Sequence, residues 1–407
     1  MKVNLSFKFY SKVLLVIVFF YTLLRICHML SVEIGAGDEN IFIKDLDFID
    51  SFGWSRAIQK GISIPHAILV YPLTLIFQNF IALRLFNLIL ISIFVYYIYK
   101  NFNNKYLWVY FIFFLGNGGG IFLGTNDALF QISLCIFFLE VLKLFYYKTI
   151  NYNLAFSSLL IAFFTREMII TYLPALVVSF VLIIHYGDNF KIKKFTFPLF
   201  ILLGFLALNI PSILTNHSLS YDNKTPPKHL NANWVERQYL SQLEVNKGNI
   251  ENYTHVTWED VEKYKAEFGE NSLPKTSFSA LTFDVELTVK EFFKDFLYML
   301  RDSIRQTGFI IIFLFFVLSY KLLNRKLSWE SIYAALILFV SFLVFAFIII
   351  SYVEMRWLVS VIFVSIVSFS FIQTKLFYKN HFNLFYRINY LLIFILCIYG
   401  TYKLFYS

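Results

Sequence analysis

Long apolar stretches alternate with short polar ones along this chain of 407 residues. A helix needs about 20 apolar residues to cross the roughly 30 Å hydrocarbon core of a membrane. Eleven stretches have about that length, so we predict an all-α polytopic membrane protein with about eleven transmembrane helices. The predicted spans are residues 12–30, 82–100, 105–122, 127–147, 150–165, 168–186, 195–214, 304–323, 331–352, 357–375 and 385–404.

The composition supports this assignment and excludes a soluble protein. Hydrophobic residues make up 58% of the chain and charged residues only 15%, whereas soluble domains carry about 25% charged residues. The cysteines Cys27, Cys135 and Cys397 all lie in apolar stretches and lack the spacing of a disulfide framework or a zinc site. One further apolar piece, residues 63–80, contains two prolines, which favour an interfacial or re-entrant helix over a span.

Charge predicts the orientation in the membrane. Lys and Arg gather in cytoplasmic loops of membrane proteins, and with a cytoplasmic N-terminus every predicted inside loop is basic while the opposite loops carry acids. The net charge of +9 follows from this bias, so we expect no nucleic-acid partner. Usage rich in Phe, Ile, Lys and Asn is typical of a low-GC bacterium. We therefore expect a bacterial inner (plasma) membrane protein with its active site on the external, periplasmic face.

Two long polar segments divide the chain into modules. Residues 1–214 form a predicted N-terminal transmembrane module that includes the first external loop, residues 31–62. Residues 215–303 form a predicted external α-rich module, and residues 304–407 return to the membrane.

Two helices are predicted inside the external module. Thr257 can cap a helix that Gly269 ends, with Asp260 at the capping-box position. Residues 284–302 have the pattern of an amphipathic helix that leads into the next span, and its Phe292, Phe293, Phe296 and Leu300 would face lipid or core.

An acidic pair follows the first predicted span. Asp38 and Glu39 would lie at the membrane surface, where a carboxylate can act as a general base at neutral pH. Glycines just before the pair permit a tight turn. Asp45 and Asp47 form a second candidate, and the alternative for all four is a solvated acidic loop.

Charges at the external ends of the predicted spans are further candidates. A charge at membrane depth costs about 2.5–3.5 kcal/mol on insertion scales, so its presence asks for a reason. Arginine suits phosphate because its planar guanidinium binds two oxygens at once. The alternative is a snorkelling side chain or a local ion pair, such as Arg166 with Glu167. The candidates are Arg84, Asp127, Arg166, Glu167, Glu354 and Arg356.

Asp127 and His66 also have simpler explanations. Asp127 would complement the positive end of a helix that Thr125 or Asn126 caps, and this explanation stands beside a functional one. His66 follows Pro65 on the external side, and a lone histidine there more often packs than reacts.

The order of these features resembles the type C integral-membrane glycosyltransferases, which include protein O-mannosyltransferase-like and lipid A aminoarabinose transferase-like enzymes. The resemblance covers most of residues 12–375. The family often has a double proline where this chain has Pro65-His66, and Arg-Tyr where it has Arg356-Trp357. The matching pieces, in order, are Asp38-Glu39, GISIPHAILVYPL, LRLFNLIL, GTND, TRE…LP (165–174) and EMRW (354–357).

The resemblance implies transfer of a sugar from a polyprenyl-phosphate donor to a glycan, lipid or protein acceptor, as in cell-envelope polysaccharide biosynthesis. Asp38, with Glu39 beside it, would take the proton of the acceptor hydroxyl. A single displacement would invert the anomeric carbon. The external arginines would hold the leaving phosphate, and the other candidates would help to bind the substrate; this set is Arg84, Asp127, Arg166, Arg356 and His66.

Some relatives use a divalent cation beside the acidic motif. Asp38, Glu39 and Asp127 would offer oxygen ligands to it, and no other cofactor is implied.

Two other functions fit the same pattern. A lipid-linked oligosaccharide polymerase or ligase would use arginine and histidine in external loops and would not depend on Asp38. A lipid or polysaccharide transporter would need no chemistry, but it favours polar residues near the middle of the membrane or paired broken helices.

Overall fold

The computed structural model is built from α-helices. It describes residues 2–35, 37–118, 120–187, 195–222, 226–227, 229–252, 254–324, 328–349, 353–376 and 380–406, with helix backbone alone for residues 2–8 and 380–382. These residues contain no β-strand. Their α-helices are α1 Lys2–Leu30, α2 Glu39–Phe52, α3 Trp54–Lys60, α4 Ile64–Thr74, α5 Asn79–Phe102, α6 Leu107–Asn117, α7 Asp127–Tyr146, α8 Tyr152–Thr165, α9 Leu173–Tyr186, α10 Thr196–Asn216, α11 Trp234–Lys247, α12 Trp258–Phe268, α13 Ser277–Phe283, α14 Val285–Thr307, α15 Ile310–Leu323, α16 Trp329–Phe347, α17 Val359–Leu376 and α18 Asn380–Tyr406.

Eight helical segments among the described residues are long and apolar enough to cross a membrane. A bent pair, α14 with α15, would raise this number to nine if the two helices form one span. An all-α chain with this many apolar helices is consistent with the predicted polytopic membrane protein. The eight segments are Phe9–Leu30, Asn79–Phe102, Asp127–Tyr146, Glu167–Tyr186, Thr196–Asn216, Trp329–Phe347, Met355–Leu376 and Asn383–Tyr406.

Three predicted spans correspond to shorter helices, so the structure does not confirm a total of eleven. The stretch 105–122 contains α6 of 11 residues, and the stretches 150–165 and 304–323 contain α8 and α15 of 14 residues each. At 1.5 Å per residue these helices are about 17 to 21 Å long, which is less than the hydrocarbon thickness. Hydropathy counts apolar residues and cannot detect the turns that shorten a helix.

The chain divides into two compact units. The larger unit comprises Met1–Asp222, Asp302–Phe339 and Met355–Ser407, and the smaller unit comprises Asn223–Arg301 and Val340–Glu354.

The smaller unit contains the two helices predicted for the polar segment. Helix α12 begins after Thr257, whose hydroxyl accepts from the Asp260 N–H at 3.1 Å while the Asp260 carboxylate accepts from the Thr257 N–H at 3.0 Å. This reciprocal pair is the predicted capping box. The helix ends at Gly269, and α14 covers the predicted amphipathic segment.

Helix α7 lies in the core of the larger unit. Nearly every residue of α7 is buried, and the helix packs against α5, α8, α9 and α17. A helix that is apolar on all sides must be covered by protein or lipid, and here protein covers it. Asp127 is the first residue of α7, so the core of the unit fixes the position of this carboxylate.

Helices α1 and α6 pack so closely that a glycine is required between them. A Cβ atom on Gly116 would lie 2.9 Å from Oγ1 and 3.1 Å from Cα of Thr22. The Thr22 hydroxyl donates to the Ile112 carbonyl at 2.8 Å, and the Arg25 guanidinium donates to the Gly116 carbonyl at 3.2 Å. Small residues let backbones approach in this way where no water drives association.

We expect Gly116→Ala to lower the free energy of unfolding by about 1–3 kcal/mol, because the added methyl group overpacks this contact. The midpoint of thermal unfolding in detergent measures the effect. Gly204→Ala on α10 is the matched control, since a Cβ atom there has no neighbour within 4 Å. Equal midpoints for the two variants would contradict the close packing.

Candidate active site

Two carboxylates and two arginines from distant parts of the sequence meet in the larger unit. Nη2 of Arg356 lies 2.7 Å from Oδ2 of Asp38, and Nη1 of Arg356 lies 2.9 Å from Oδ2 of Asp127. Arg166 forms an ion pair with the other oxygen of Asp127. We call these four residues the acid–arginine cluster. Its formal charges balance, with Asp127 almost fully buried and the Asp38 side chain 26% exposed.

Each member of the cluster stands at the end of an element. Asp38 immediately precedes α2, Asp127 begins α7, Arg166 follows the last residue of α8, and Arg356 lies in a 3₁₀ turn before α17. Asp127 also complements the positive end of the α7 dipole. Asn126, which was predicted as a possible cap, makes no side-chain capping hydrogen bond.

Hydrogen bonds from α7 hold the turn that carries Arg356. Gln131 donates to the Trp357 carbonyl at 3.0 Å and accepts from the Ser360 N–H at 2.9 Å. Tyr172 also donates to the Trp357 carbonyl. Residues four apart share a face of a helix, so Asp127 and Gln131 together bind the side chain and the backbone of one turn. Gln131 was not predicted from the sequence, although its position four residues after Asp127 places both side chains on one face of the helix.

Glu39 forms a buried two-pronged ion pair with Arg84. Nε and Nη2 of Arg84 each lie 2.7 Å from a carboxylate oxygen of Glu39, and Glu39 is fully buried. The remaining donors of Arg84 bind the backbone at the end of α1, on the carbonyls of Leu30, Val32 and Glu33. Glu39 and Asp38 are consecutive, so this pair fixes the backbone position of Asp38.

Two backbone N–H groups, one in the loop before α2 and one in the turn before α7, also bind Glu39. The Gly35 and Gly124 N–H groups donate to its carboxylate at 2.9 and 3.0 Å. Burial alone would raise the pKa of Glu39, but these bonds together with Arg84 outweigh it and lower the pKa. A Cβ atom on Gly124 would lie 2.6 Å from Glu39 and 2.7 Å from the Leu83 side chain, so only glycine fits there.

Asp222 is a further acid next to the cluster. It accepts from the Asn126 amide at 2.7 Å and from the Ser63 N–H at 3.1 Å. The hydroxyl of Ser220, two residues earlier, accepts from the Ile62 N–H at 2.9 Å and donates to the Ile62 carbonyl at 2.8 Å. Hydrogen bonds thus hold the segment 218–222, which we call the strap, against the residues just before α4. Sequence reasoning missed Asp222, because it is one acid among many in a polar stretch.

Asp45 and Asp222 form a carboxyl pair. Burial raises the pKa of Asp222 well above its usual value, and the neighbouring charge of Asp45 adds to this effect. Burial also raises the pKa of Asp45, against the lowering effect of Lys60, whose amine lies 2.9 Å from it. Two close carboxylates resist being charged together, so the pair takes up a proton at a higher pH than ordinary aspartates do.

His66 packs between aromatic rings. Its ring centroid lies 5.2 Å from that of Phe42 and 5.7 Å from that of Phe86. Burial lowers its pKa to about 3, so the ring is neutral. Together with Asp45 and Ser63 it lines a cavity of about 10 Å³, which is close to the space of one water molecule. This environment agrees with the packing explanation for His66.

The structure brings together some of the predicted site residues and separates others. Asp38, Asp127, Arg166 and Arg356 meet in one cluster, whereas the Arg84 guanidinium is taken up by Glu39 and backbone carbonyls. Among the described residues, no group of three His, Cys, Asp or Glu is arranged to hold a metal ion. The three acids predicted as ligands instead bind arginine, so this arrangement does not fit a cation.

Comparisons with protein-family models, with curated proteins and with solved structures found no match to this chain. The function therefore has to be argued from its own residues.

We expect Glu39→Gln to lower the free energy of unfolding by about 3–5 kcal/mol, because it leaves the buried Arg84 guanidinium without its counter-charge. Thermal unfolding of the purified protein in detergent measures this loss. Glu33→Gln removes the same charge from an exposed side chain in the loop before α2, outside this ion pair, and should have little effect. A similar small shift for both variants would show that the pair contributes little.

The carboxyl pair predicts a pH dependence of stability. A raised pKa means that the folded state binds the proton more tightly than the unfolded chain, so stability from this pair falls as the pH rises above about 4, the ordinary pKa of aspartate. Asp45→Asn removes the repulsion and keeps an acceptor for Lys60. We expect the unfolding midpoint of this variant to fall less with rising pH than that of the wild type.

The control for this measurement is Asp47→Asn, an exposed acid on the same helix α2. It should follow the wild-type pH profile. Parallel profiles for wild type and Asp45→Asn would mean that the two carboxyls titrate independently.

Proposed function

We propose that the protein is a membrane glycosyltransferase that moves a sugar from a polyprenyl-phosphate donor to a glycan, lipid or protein acceptor on the external face of the membrane. The family resemblance suggests the donor class. The polymerase, ligase and transporter functions remain the alternatives, and the experiment below separates them.

One observation carries the proposal. The partly exposed carboxylate of Asp38 lies beside Arg356, and Asp127 ties Arg356 to Arg166. A base next to two positive groups suits a reaction that takes a proton from one substrate and leaves negative charge on another. A protein that only transports its substrate needs neither a base nor positive groups that stabilise a leaving phosphate.

The chemistry would be a single displacement. The acceptor oxygen attacks the anomeric carbon as Asp38 takes its proton, and the bond from that carbon to the phosphate oxygen breaks. The leaving polyprenyl phosphate gains one negative charge, which Arg356 and Arg166 would stabilise. The configuration at the anomeric carbon is inverted, and the proton ends on the Asp38 carboxylate.

Asp127 and Glu39 would act as positioning residues. Asp127 is buried and holds both arginines, so their guanidinium groups are oriented before the phosphate arrives. Such prior orientation is where electrostatic catalysis gains its advantage. Glu39 holds the backbone next to Asp38 through Arg84 and the Gly124 turn.

We expect Asp38→Asn to reduce sugar release from radiolabelled polyprenyl-phosphate monosaccharides by about 100-fold or more, because general-base catalysis contributes about 10²–10⁴-fold. The full chain in lipid vesicles is the enzyme, and release of label from the lipid is the measurement. Asparagine can keep a hydrogen bond to Arg356, so folding should be retained.

Asp47→Asn is the matched control and should retain wild-type activity. Full activity in Asp38→Asn would remove Asp38 as the base, and Asp45 would be tested next. Turnover of a diphosphate-linked oligosaccharide, without turnover of any monosaccharide donor, would establish the polymerase or ligase instead. Movement of intact donor across the bilayer without bond cleavage would establish a transporter.

A further inference from the structure

Helix α14 of the structure exposes a row of large apolar side chains. Val285, Val289, Phe293 and Leu297 are 62%, 50%, 59% and 61% exposed. Their spacing of four residues places them along one side of the helix.

The side of α14 that faces the protein is mixed, because the buried residues Leu287 and Met299 lie there beside two buried acids. Glu291 and Asp295 are only 1% and 5% exposed, although apolar residues of the same helix lie on the outside. Glu291 is compensated by the Asn246 amide at 2.9 Å and by Lys294 at 2.8 Å. A surface helix in water usually turns its large apolar side chains inward. A row of them on the outside is typical of a surface that contacts a partner or a membrane.

The exposed row is continuous with a membrane-type helix. The chain turns by 119° at the break between α14 and α15, and α15 is almost entirely apolar. The row ends in Arg301 and Arg305, which lie next to this turn and are exposed. Arginine side chains at such positions reach lipid phosphates while their stems stay in apolar surroundings.

We propose that the Val285–Leu297 side of α14 lies in the boundary between headgroups and acyl chains of the bilayer, with phospholipid as its partner. The helix carries too many charges to span the membrane, and its apolar side is wide enough for an interfacial helix. Arg301 and Arg305 contact the phosphate layer. This proposal does not depend on the enzymatic function.

Site-directed spin labelling of the full chain tests the proposal. The background variant is Cys27→Ser, because Cys27 is exposed and the other two cysteines are buried. Single cysteines replace Val289, Phe293 and Leu297, and Lys263→Cys, at an exposed position on α12 of the same unit, is the matched control. Each labelled variant is placed in vesicles of phosphatidylethanolamine and phosphatidylglycerol. Power saturation then compares accessibility to oxygen, which concentrates in lipid, with accessibility to a water-soluble nickel chelate.

We expect a high oxygen-to-nickel ratio at the three apolar positions and a low ratio at position 263. High nickel accessibility at positions 289, 293 and 297 would place this side in water and overturn the proposal. Low accessibility to both reagents would show a protein contact, such as a second copy, and would also overturn it. A high ratio at position 263 as well would mean that lipid contact is not confined to this side of α14, which contradicts an interfacial position.

Discussion

The single carboxylate of Asp127 organises the candidate site, because it binds two guanidinium groups that the chain carries far apart. Arg166 and Arg356 are 190 residues from each other in sequence, and both bind this acid. Two arginines in close proximity repel one another, and a buried counter-charge makes their approach favourable. Asp127 can serve in this way because α7, the most deeply buried helix of the larger unit, fixes its position.

Local features of the fold could be predicted from the sequence. The capping box of Thr257 and Asp260 needs only residues three apart, so its pattern is complete within one turn of helix. The candidates Asp38, Asp127, Arg166 and Arg356 were found because charge is rare and costly in an apolar chain. Their chemistry was visible, although their partners were not.

The pairings could not be predicted, because they depend on how distant helices approach. Arg84 was expected to bind phosphate with the other arginines, yet its partner is Glu39, and no local spacing relates residues 45 positions apart. Asp222 stood out in no pattern and acquires its importance from its long-range contacts with Asn126 and Ser63. The count of eleven spans is not confirmed for a related reason, since a turn inside an apolar stretch leaves little trace in hydropathy.

The strap of residues 218–222 has a consequence for exchanging parts between proteins. Helix α10 ends at Asn216, and a designer guided by helix ends would cut there. The larger unit in fact extends to Asp222, which contributes directly to the carboxyl pair. A chimaera that replaces the smaller unit must therefore be joined after Asp222. A junction at the end of α10 would remove residues 217–222, and with them part of the candidate site.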